Sequence, residues 1–325
     1  MDVKMMRVNG KKLLNLNLKG MGLGVIAGIS LHLSTQLNIW CNELYSISNP
    51  TPIRKNFEKK FGYPILGMEE QIEGNPSNVL RLTRIIENEM KSKPFKLRAI
   101  KIRSDDYLKN SLSTQFHKAC FVPILGTYQK NSLILKDNYY DAVAHHEIKH
   151  AKTDEIIKSE PDFYNKWKSI SVNEWGNSVY FSNLEQLAFL TNGFFNLINK
   201  SVIDKEENLK LGFISNYSRF NVAEDIAELC ESAERKNKIL FENTNNPLIL
   251  KKLHLAEEYK LIPPGFVKYS NLVNQYNNFN LSDIQTRRLE EFILQANNFI
   301  WDYPESLYTG DIKNMKGLLL YHNSK

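Results

Sequence analysis

The segment from Asp141 to Glu160 most strongly constrains what this chain can fold into. Its residues, DAVAHHEIKHAKTDEIIKSE, include neither Pro nor Gly, and Pro161 follows directly. Asp141 is a good N-cap residue, and an uninterrupted run that ends at Pro is typical of an α-helix. The sequence therefore predicts a helix over these residues.

The predicted helix carries the pattern H-E-x-x-H at His146, Glu147 and His150. Positions i and i+4 lie about 40° apart around a helix axis, so both imidazoles leave one face and can ligate one Zn²⁺. Glu147 is placed beside them to act as a general base. His145 falls on a different face, and we expect it to pack or to contact a loop.

A catalytic zinc usually has three protein ligands. The pattern H-E-x-x-H-x-x-G-x-x-H is absent, because Thr153 and Ile156 occupy the positions where it would continue. Glu174 is a possible third ligand. A better candidate lies further along the chain, at Glu224.

The segment NYSRFNVAEDIAELCESAE contains Tyr217, Glu224 and Glu228. Glu228 follows Glu224 by one helical turn on the same face, where it could accept the N–H of a ligand histidine. Tyr217 could donate its hydroxyl to an oxyanion. Apolar neighbours such as Ile226 draw at least one of these carboxylates towards the interior, where it needs a partner.

The remaining acidic residues of this segment have a simpler interpretation. Asp225, Glu231 and Glu234 are expected to form a solvated acidic face of the same helix. The helix itself is predicted from Val222 to about Lys236 by its amphipathic pattern.

Together, HHEIKHA and NYSRFNVAEDIAE resemble the gluzincin metallopeptidases. The similar subset has a long insertion between H-E-x-x-H and a Tyr-x6-Glu-x3-Glu helix, as in peptidase domains of the anthrax-lethal-factor type and several secreted bacterial relatives. The resemblance covers roughly residues 120 to 235. It implies one Zn²⁺ per chain, with His146, His150 and Glu224 as its ligands.

The same resemblance implies roles for the other site residues. Glu147 would act as general base and acid, Tyr217 as an electrophilic helper, and Glu228 as the partner of a ligand histidine. The sequence departs from the family pattern at Lys149, where many relatives have a Gly that lets a neighbouring segment approach closely.

Flanking patterns indicate an α+β fold. They predict an amphipathic helix between Asn75 and Pro94, a strand over Phe95–Ile102, and a hairpin around Gly126 whose second strand is Ser132–Lys136. Two more amphipathic helices follow in the C-terminal region. We expect a zincin-like metallopeptidase domain, mostly helical, with a small mixed or antiparallel sheet flanking the active-site helix and additional C-terminal helices.

Three regions are expected along the chain. Residues 1–41 combine basic residues with the apolar stretch MGLGVIAGISLHL and suggest a signal peptide or N-terminal anchor, which predicts export. A buried Gly-rich helix is the alternative, and a cytoplasmic location stays open. Residues 42–268 would form the zincin-like domain, and residues 269–325 a helical C-terminal extension.

Composition excludes several classes of protein. Apolar residues make up 42% and charged residues 24% of the 325 positions, as in a folded globular protein. The net charge of +6 comes from scattered basic residues, so no nucleic-acid partner is indicated. The three cysteines allow at most one disulfide, with Cys120 and Cys230 as the candidate pair.

These features favour a monomeric zinc metallopeptidase that acts on a peptide or protein substrate and can associate with a membrane through its N-terminus. A catalytically silent zincin fold that binds a partner, or stabilises a structure, is the second hypothesis. A helical protein with an accidental H-E-x-x-H pattern is the third.

Overall fold

The structure is a computed structural model, and it describes residues 51–67, 72–103, 126–136, 141–173, 175–182, 186, 205–279 and 286–323. The predicted leader, residues 1–41, lies outside this part, so export and membrane anchoring stay predictions. Within the described ranges, every helix is too short or too polar to cross a lipid bilayer.

The described elements are short strands, all of which precede Asp141, and helices, which continue to the end of the described chain. In chain order they are α1 (Pro52–Phe61), β1 (Ile65–Leu66), α2 (Pro76–Ser92), β2 (Ala99–Arg103), β3 (Gly126–Gln129), β4 (Ser132–Lys136), α3 (Asp141–Ser159), α4 (Phe163–Ile170), α5 (Lys205–Lys210), α6 (Val222–Glu234), α7 (Lys238–Glu242), α8 (Pro247–Glu258), α9 (Phe266–Asn277), α10 (Thr286–Asp302) and α11 (Thr309–Asn323). The protein is therefore α+β and mostly helical, which confirms the predicted class.

The helices around the site begin and end close to the residues that the sequence predicts. Helix α2 begins at Pro76, a residue preferred in a first turn, and ends before Pro94. Helix α3 begins at Asp141 and ends at Ser159, one residue before the predicted end. Helix α6 begins at Val222, as predicted, and ends two residues before Lys236.

The strands form a four-stranded mixed sheet with the order β1-β2-β4-β3. Strand β4 pairs in parallel with β2 and antiparallel with β3. The predicted second strand of the hairpin, Ser132–Lys136, is confirmed. The turn, however, lies at Lys130 and Asn131, whose φ angles of 49° and 60° suit a tight hairpin turn. Gly126 instead starts the first strand.

Helix α3 contributes to two hydrophobic cores. Ala144, Ile148 and Ala151 pack in a core formed with α1, α2 and the sheet. Ile156, near the C-terminal end of α3, packs in a second core formed mainly by the helices that follow. The helix that carries H-E-x-x-H is therefore enclosed from both sides.

The second core continues into the C-terminal helices. Phe292 of α10 and Leu319 of α11 are buried in the same cluster as Trp167 of α4 and Leu229 of α6. The boundary predicted at residues 268 and 269 falls inside α9. The division into a domain and an extension stays a prediction.

Gly126 allows β3 to lie close against α3. A Cβ atom at this position would lie 2.5 Å from Val143 Cγ1 and 3.2 Å from Glu147 Cγ. Since real Cβ atoms do not approach a side chain this closely, only Gly fits without a shift.

We expect Gly126→Ala to destabilise the fold by about 1–3 kcal/mol, because it overpacks the contact between β3 and α3. Gly317→Ala is the matched control, since Gly317 lies in α11 with open space around it. Replacing Gly by Ala in this helix should stabilise the protein by roughly 0.5–1 kcal/mol. Denaturant unfolding measures both, and equal effects would contradict the assigned role of Gly126.

Candidate metal centre

The two histidines of the motif leave the same face of α3. Their ring centroids lie 4.8 Å apart, and His150 Nε2 lies 3.1 Å from His146 Nε2. Both side chains are largely buried, with 11% and 15% of the surface of His146 and His150 exposed. The spacing in the sequence predicted this pairing from helix geometry alone.

Helix α6 supplies a carboxylate to the two histidines. Glu224 Oε2 lies 2.9 Å from His146 Nε2 and 3.3 Å from His150 Nε2. Asn221, the N-cap of α6, accepts a hydrogen bond from the Glu224 backbone N–H at 3.0 Å and so starts the helix at this point. The structure therefore brings together the three residues that the sequence selected.

The three donor atoms fit a zinc ion. In a tetrahedral site with metal–ligand bonds of about 2.0–2.1 Å, the ligand atoms lie roughly 3.3 Å apart. The observed separations of 2.9, 3.1 and 3.3 Å are close to that value. Two imidazole nitrogens and one carboxylate oxygen also form the donor set of a catalytic zinc that keeps its fourth position open.

The donors also attract one another electrostatically. Burial alone would lower the pKa of His146, but the hydrogen bond to Glu224 and the nearby carboxylates raise it to about 9. Burial alone would raise the pKa of Glu224, but its hydrogen bonds to His146 and His150 hold it far below its usual value. A divalent cation that binds here would take the place of a proton.

Glu147 lies beside this group, between α3 and the sheet. Its side chain is buried, and the backbone N–H of Tyr128 in β3 donates to its carboxylate. Burial raises the pKa of Glu147, although the charges of His146 and His150 oppose the shift. A carboxylate with a raised pKa is a better proton acceptor near neutral pH, as a general base requires.

Tyr217 lies at the mouth of the site. Its ring centroid is 5.8 Å from that of His146, and 37% of the residue stays exposed. Burial of its hydroxyl raises the pKa of Tyr217, as do the charge of Glu224 and a hydrogen bond to it. The phenol is therefore kept protonated and able to donate.

Glu228 does not form the direct hydrogen bond to a ligand histidine that the sequence predicts. Its Oε1 lies 3.8 Å from His146 Nδ1, beyond hydrogen-bond length. The Ser215 hydroxyl instead donates to Glu228 Oε2 at 3.0 Å. Glu228 lies on the Nδ1 side of His146, but its hydrogen bond is with Ser215.

A second set of charged residues lies on the opposite side of α3. Lys149 and Lys152 are fully buried. Lys149 Nζ donates to Glu89 Oε2 at 2.7 Å, to Glu234 Oε1 at 2.5 Å and to the Leu261 carbonyl at 2.8 Å, which uses all three of its hydrogens. Lys152 also pairs with Glu89. These pairs join α2, α3 and α6.

His145 belongs to this second set. Its Nδ1 lies 2.8 Å from Glu89 Oε1 and 3.1 Å from Glu234 Oε2, so His145 packs against two helices and not against a loop. These three residues also have the spacing of a metal site. Because Lys149 already binds both carboxylates, we assign the group to ion pairing.

The prediction that Asp225, Glu231 and Glu234 form a solvated acidic face of α6 is wrong. Asp225 and Glu231 are only 1% and 6% exposed, and the Glu234 side chain is 8% exposed. The helix lies between α3, α4 and α8, so these acids face other elements. Buried cations supply partners for two of them: Lys149 binds Glu234, and Lys252 Nζ lies 2.8 Å from Asp225 Oδ2. Glu231 pairs with Arg235, the C-cap residue of its own helix.

Two predictions involve residues outside the part of the chain that the structure describes. Glu174, the rival third ligand, is one of them. Cys120 is another, so its pairing with Cys230 stays a prediction. Cys230 itself is buried, and burial raises the pKa of its thiol.

The sequence reasoning missed the residues that surround the predicted site. Gly126 carried a usable signal, since Gly within a strand often marks a close backbone approach. His145, Lys149 and Lys152 also carried one, because they recur at helical spacing on one face of the predicted helix, and such a face needs acidic partners once it is buried. Nothing local identified Glu89 as their partner.

No protein-family model, curated protein or solved structure matches the chain. The functional interpretation therefore depends on the geometry described above.

We expect Lys149→Met to destabilise the protein by about 3–5 kcal/mol, because it leaves buried carboxylates without their main counter-ion. The matched control is Lys238→Met. Lys238 pairs with Glu242 at 3.5 Å on the surface, with 85% of its side chain exposed, so its loss should cost less than about 1 kcal/mol.

The double variant Lys149→Met/Glu234→Gln removes one charge of each sign and should recover part of the lost stability. Denaturant unfolding compares all three variants. A loss at Lys149 no larger than at Lys238 would contradict the role assigned to the buried pairs.

Proposed function

We propose that this chain is a zinc metallopeptidase of the gluzincin type, with a zincin-like domain around α3, β3 and α6. The observation that carries the proposal is the convergence of His146, His150 and Glu224 within 2.9–3.3 Å of one another. Glu147, a buried carboxylate on the adjacent position of the helix, supports it further.

Strand β3 supports a peptide substrate. It pairs with β4 on one side only and forms an edge of the described sheet. An extended peptide can add to such an edge through backbone hydrogen bonds. Because Glu147 contacts β3 at Gly126 and Tyr128, a peptide bound there would pass beside the general base.

Each group of the site has a separate role in the proposed peptide hydrolysis. A bound zinc would polarise the scissile carbonyl and lower the pKa of water to near 7. Glu147 accepts the proton of the attacking water and then passes it to the leaving amine nitrogen. Tyr217 donates its O–H to the carbonyl oxygen as negative charge develops there.

Glu147→Gln should keep zinc binding and abolish hydrolysis, because the amide cannot accept the proton and is not a zinc ligand in this proposal. Cleavage of a broad peptide library, together with metal analysis, measures both properties. Glu155→Gln is the control, since Glu155 lies on the same helix and pairs with Lys158 at the surface. Undiminished hydrolysis by Glu147→Gln would exclude the proposed mechanism.

Glu224→Ala should lose bound zinc, which the wild-type chain is expected to hold at one ion per chain. A chelator should accordingly lower the melting temperature of the wild type but not of the variant, since ligands stabilise the state that binds them. Glu231→Ala is the control on the same helix, because Glu231 pairs with Arg235 away from the site.

These measurements also separate the competing hypotheses. Zinc at one per chain without turnover of any peptide would favour a catalytically silent binding module. A wild type that binds no zinc and is indifferent to the chelator would overturn the metal site itself and leave the H-E-x-x-H pattern as an accident.

A further inference from the structure

The ligand Glu224 occupies the first turn of α6, three residues after the cap Asn221. Helix ends fray more readily than helix interiors. A metal ligand in a first turn therefore needs contacts that hold the turn in place, and the adjacent residue provides them.

Asp225 is 1% exposed and binds three donors through one oxygen. Its Oδ2 accepts hydrogen bonds from Trp167 Nε1 at 2.8 Å and from the Tyr180 hydroxyl at 2.7 Å, and it lies 2.8 Å from Lys252 Nζ. Trp167 belongs to α4, Lys252 to α8, and Tyr180 to the segment between α4 and α5. Three separate parts of the fold thus meet at this carboxylate.

The donors are themselves fixed. Trp167 and Lys252 are fully buried. Lys252 Nζ also donates to the Gly212 carbonyl at 2.8 Å and lies 4.1 Å from the centroid of the Phe213 ring. The Tyr180 ring packs edge-on against the same phenyl ring at 5.1 Å. Asp225 is consequently bound to side chains that have further contacts of their own.

Successive residues of an α-helix point about 100° apart. When Glu224 faces the two histidines, Asp225 therefore faces away from them, towards α4 and α8. A rotation of the first turn that carried Glu224 away from the histidines would also pull Asp225 from its three donors. The orientation of one side chain fixes that of the other.

We propose that Asp225, held by Trp167, Tyr180 and Lys252, is a positioning residue that aims Glu224 at the metal and so sets the zinc affinity of the site. The inference rests on the proposed function, because it requires that Glu224 ligates zinc. It adds a set of residues outside the metal shell that determine how tightly the ion is held.

Energetics favour a positioning role over a purely stabilising one. Burying the ion pair of Asp225 and Lys252 costs desolvation energy, and apolar residues of the same volume often stabilise a core as well or better. The charged pair instead constrains the orientation of the Asp225 side chain, because hydrogen bonds restrict angles that apolar packing leaves free.

The test uses Tyr180→Phe in the full chain. It removes one hydroxyl donor from Asp225 and keeps the ring. The chain offers a closely matched control, Tyr269→Phe, because the Tyr269 hydroxyl donates to Asp311 Oδ2 at 2.8 Å and Lys236 pairs with the same carboxylate. Both variants thus lose one Tyr–Asp hydrogen bond beside a lysine. Only Tyr180 bonds to the first turn of α6, next to Glu224, whereas Lys236 follows the opposite end of that helix.

We expect Tyr180→Phe to weaken zinc binding about tenfold, as loss of a contact that orients a metal ligand typically does. Asp225→Asn should weaken binding further. The absorption spectrum of the Co²⁺-substituted protein should change with both, since it reports ligand geometry. Tyr269→Phe should lower the melting temperature but leave the zinc Kd within about twofold of the wild-type value.

Two results would overturn the inference while the metal site stands. One is unchanged zinc affinity and an unchanged Co²⁺ spectrum in folded Tyr180→Phe and Asp225→Asn. The other is an equal loss of affinity in Tyr180→Phe and Tyr269→Phe, which would reveal a general effect of stability. A wild type that fails to bind zinc would instead refute the proposed function, and the inference with it.

Discussion

The fold depends on pairing the charges that α3 carries into the interior. Lys149 and Lys152 are fully buried, as few lysines are, and Glu147 on the other side of the helix is buried as well. An isolated buried charge costs several kcal/mol, so each needs a partner from another element. Glu89 in α2 and Glu234 in α6 meet that need for the lysines. The requirement for partners determines which helices can pack against α3.

The same pairing places α6 against the histidines. Lys149 binds the last turn of α6 through Glu234, while Asp225 ties its first turn to α4 and α8. A helix held near both ends has little freedom to slide or rotate. Glu224, next to one of these anchors, therefore reaches His146 from a defined direction. These contacts outside the candidate metal site thus favour the convergence of its three donor atoms.

Much of the site could be predicted because its signals are local or recur at helical spacing. His146 and His150 share a face by helix geometry. Glu224 was one of two carboxylates beside an apolar stripe, and the family resemblance implied that it was the ligand. The burial of Asp225 and Glu234 could not be predicted in this way, because it depends on Lys252 and Lys149, which are distant in sequence. Glu228 accepts its hydrogen bond from Ser215, and a single hydroxyl leaves no pattern in a sequence. Pairings that tertiary packing decides are therefore the part that the sequence left open.

The position of α3 between two cores has a consequence for cooperativity. Ala144 and Ile148 complete the core around the sheet, while Ile156 completes the core of the C-terminal helices. Neither core can keep its native packing if this helix unwinds, so the loss of one should propagate to the other. The two halves of the described structure are thus thermodynamically linked through one helix, and a cooperative transition is the expected result. A perturbation in a C-terminal helix can then reach the histidines without contacting them.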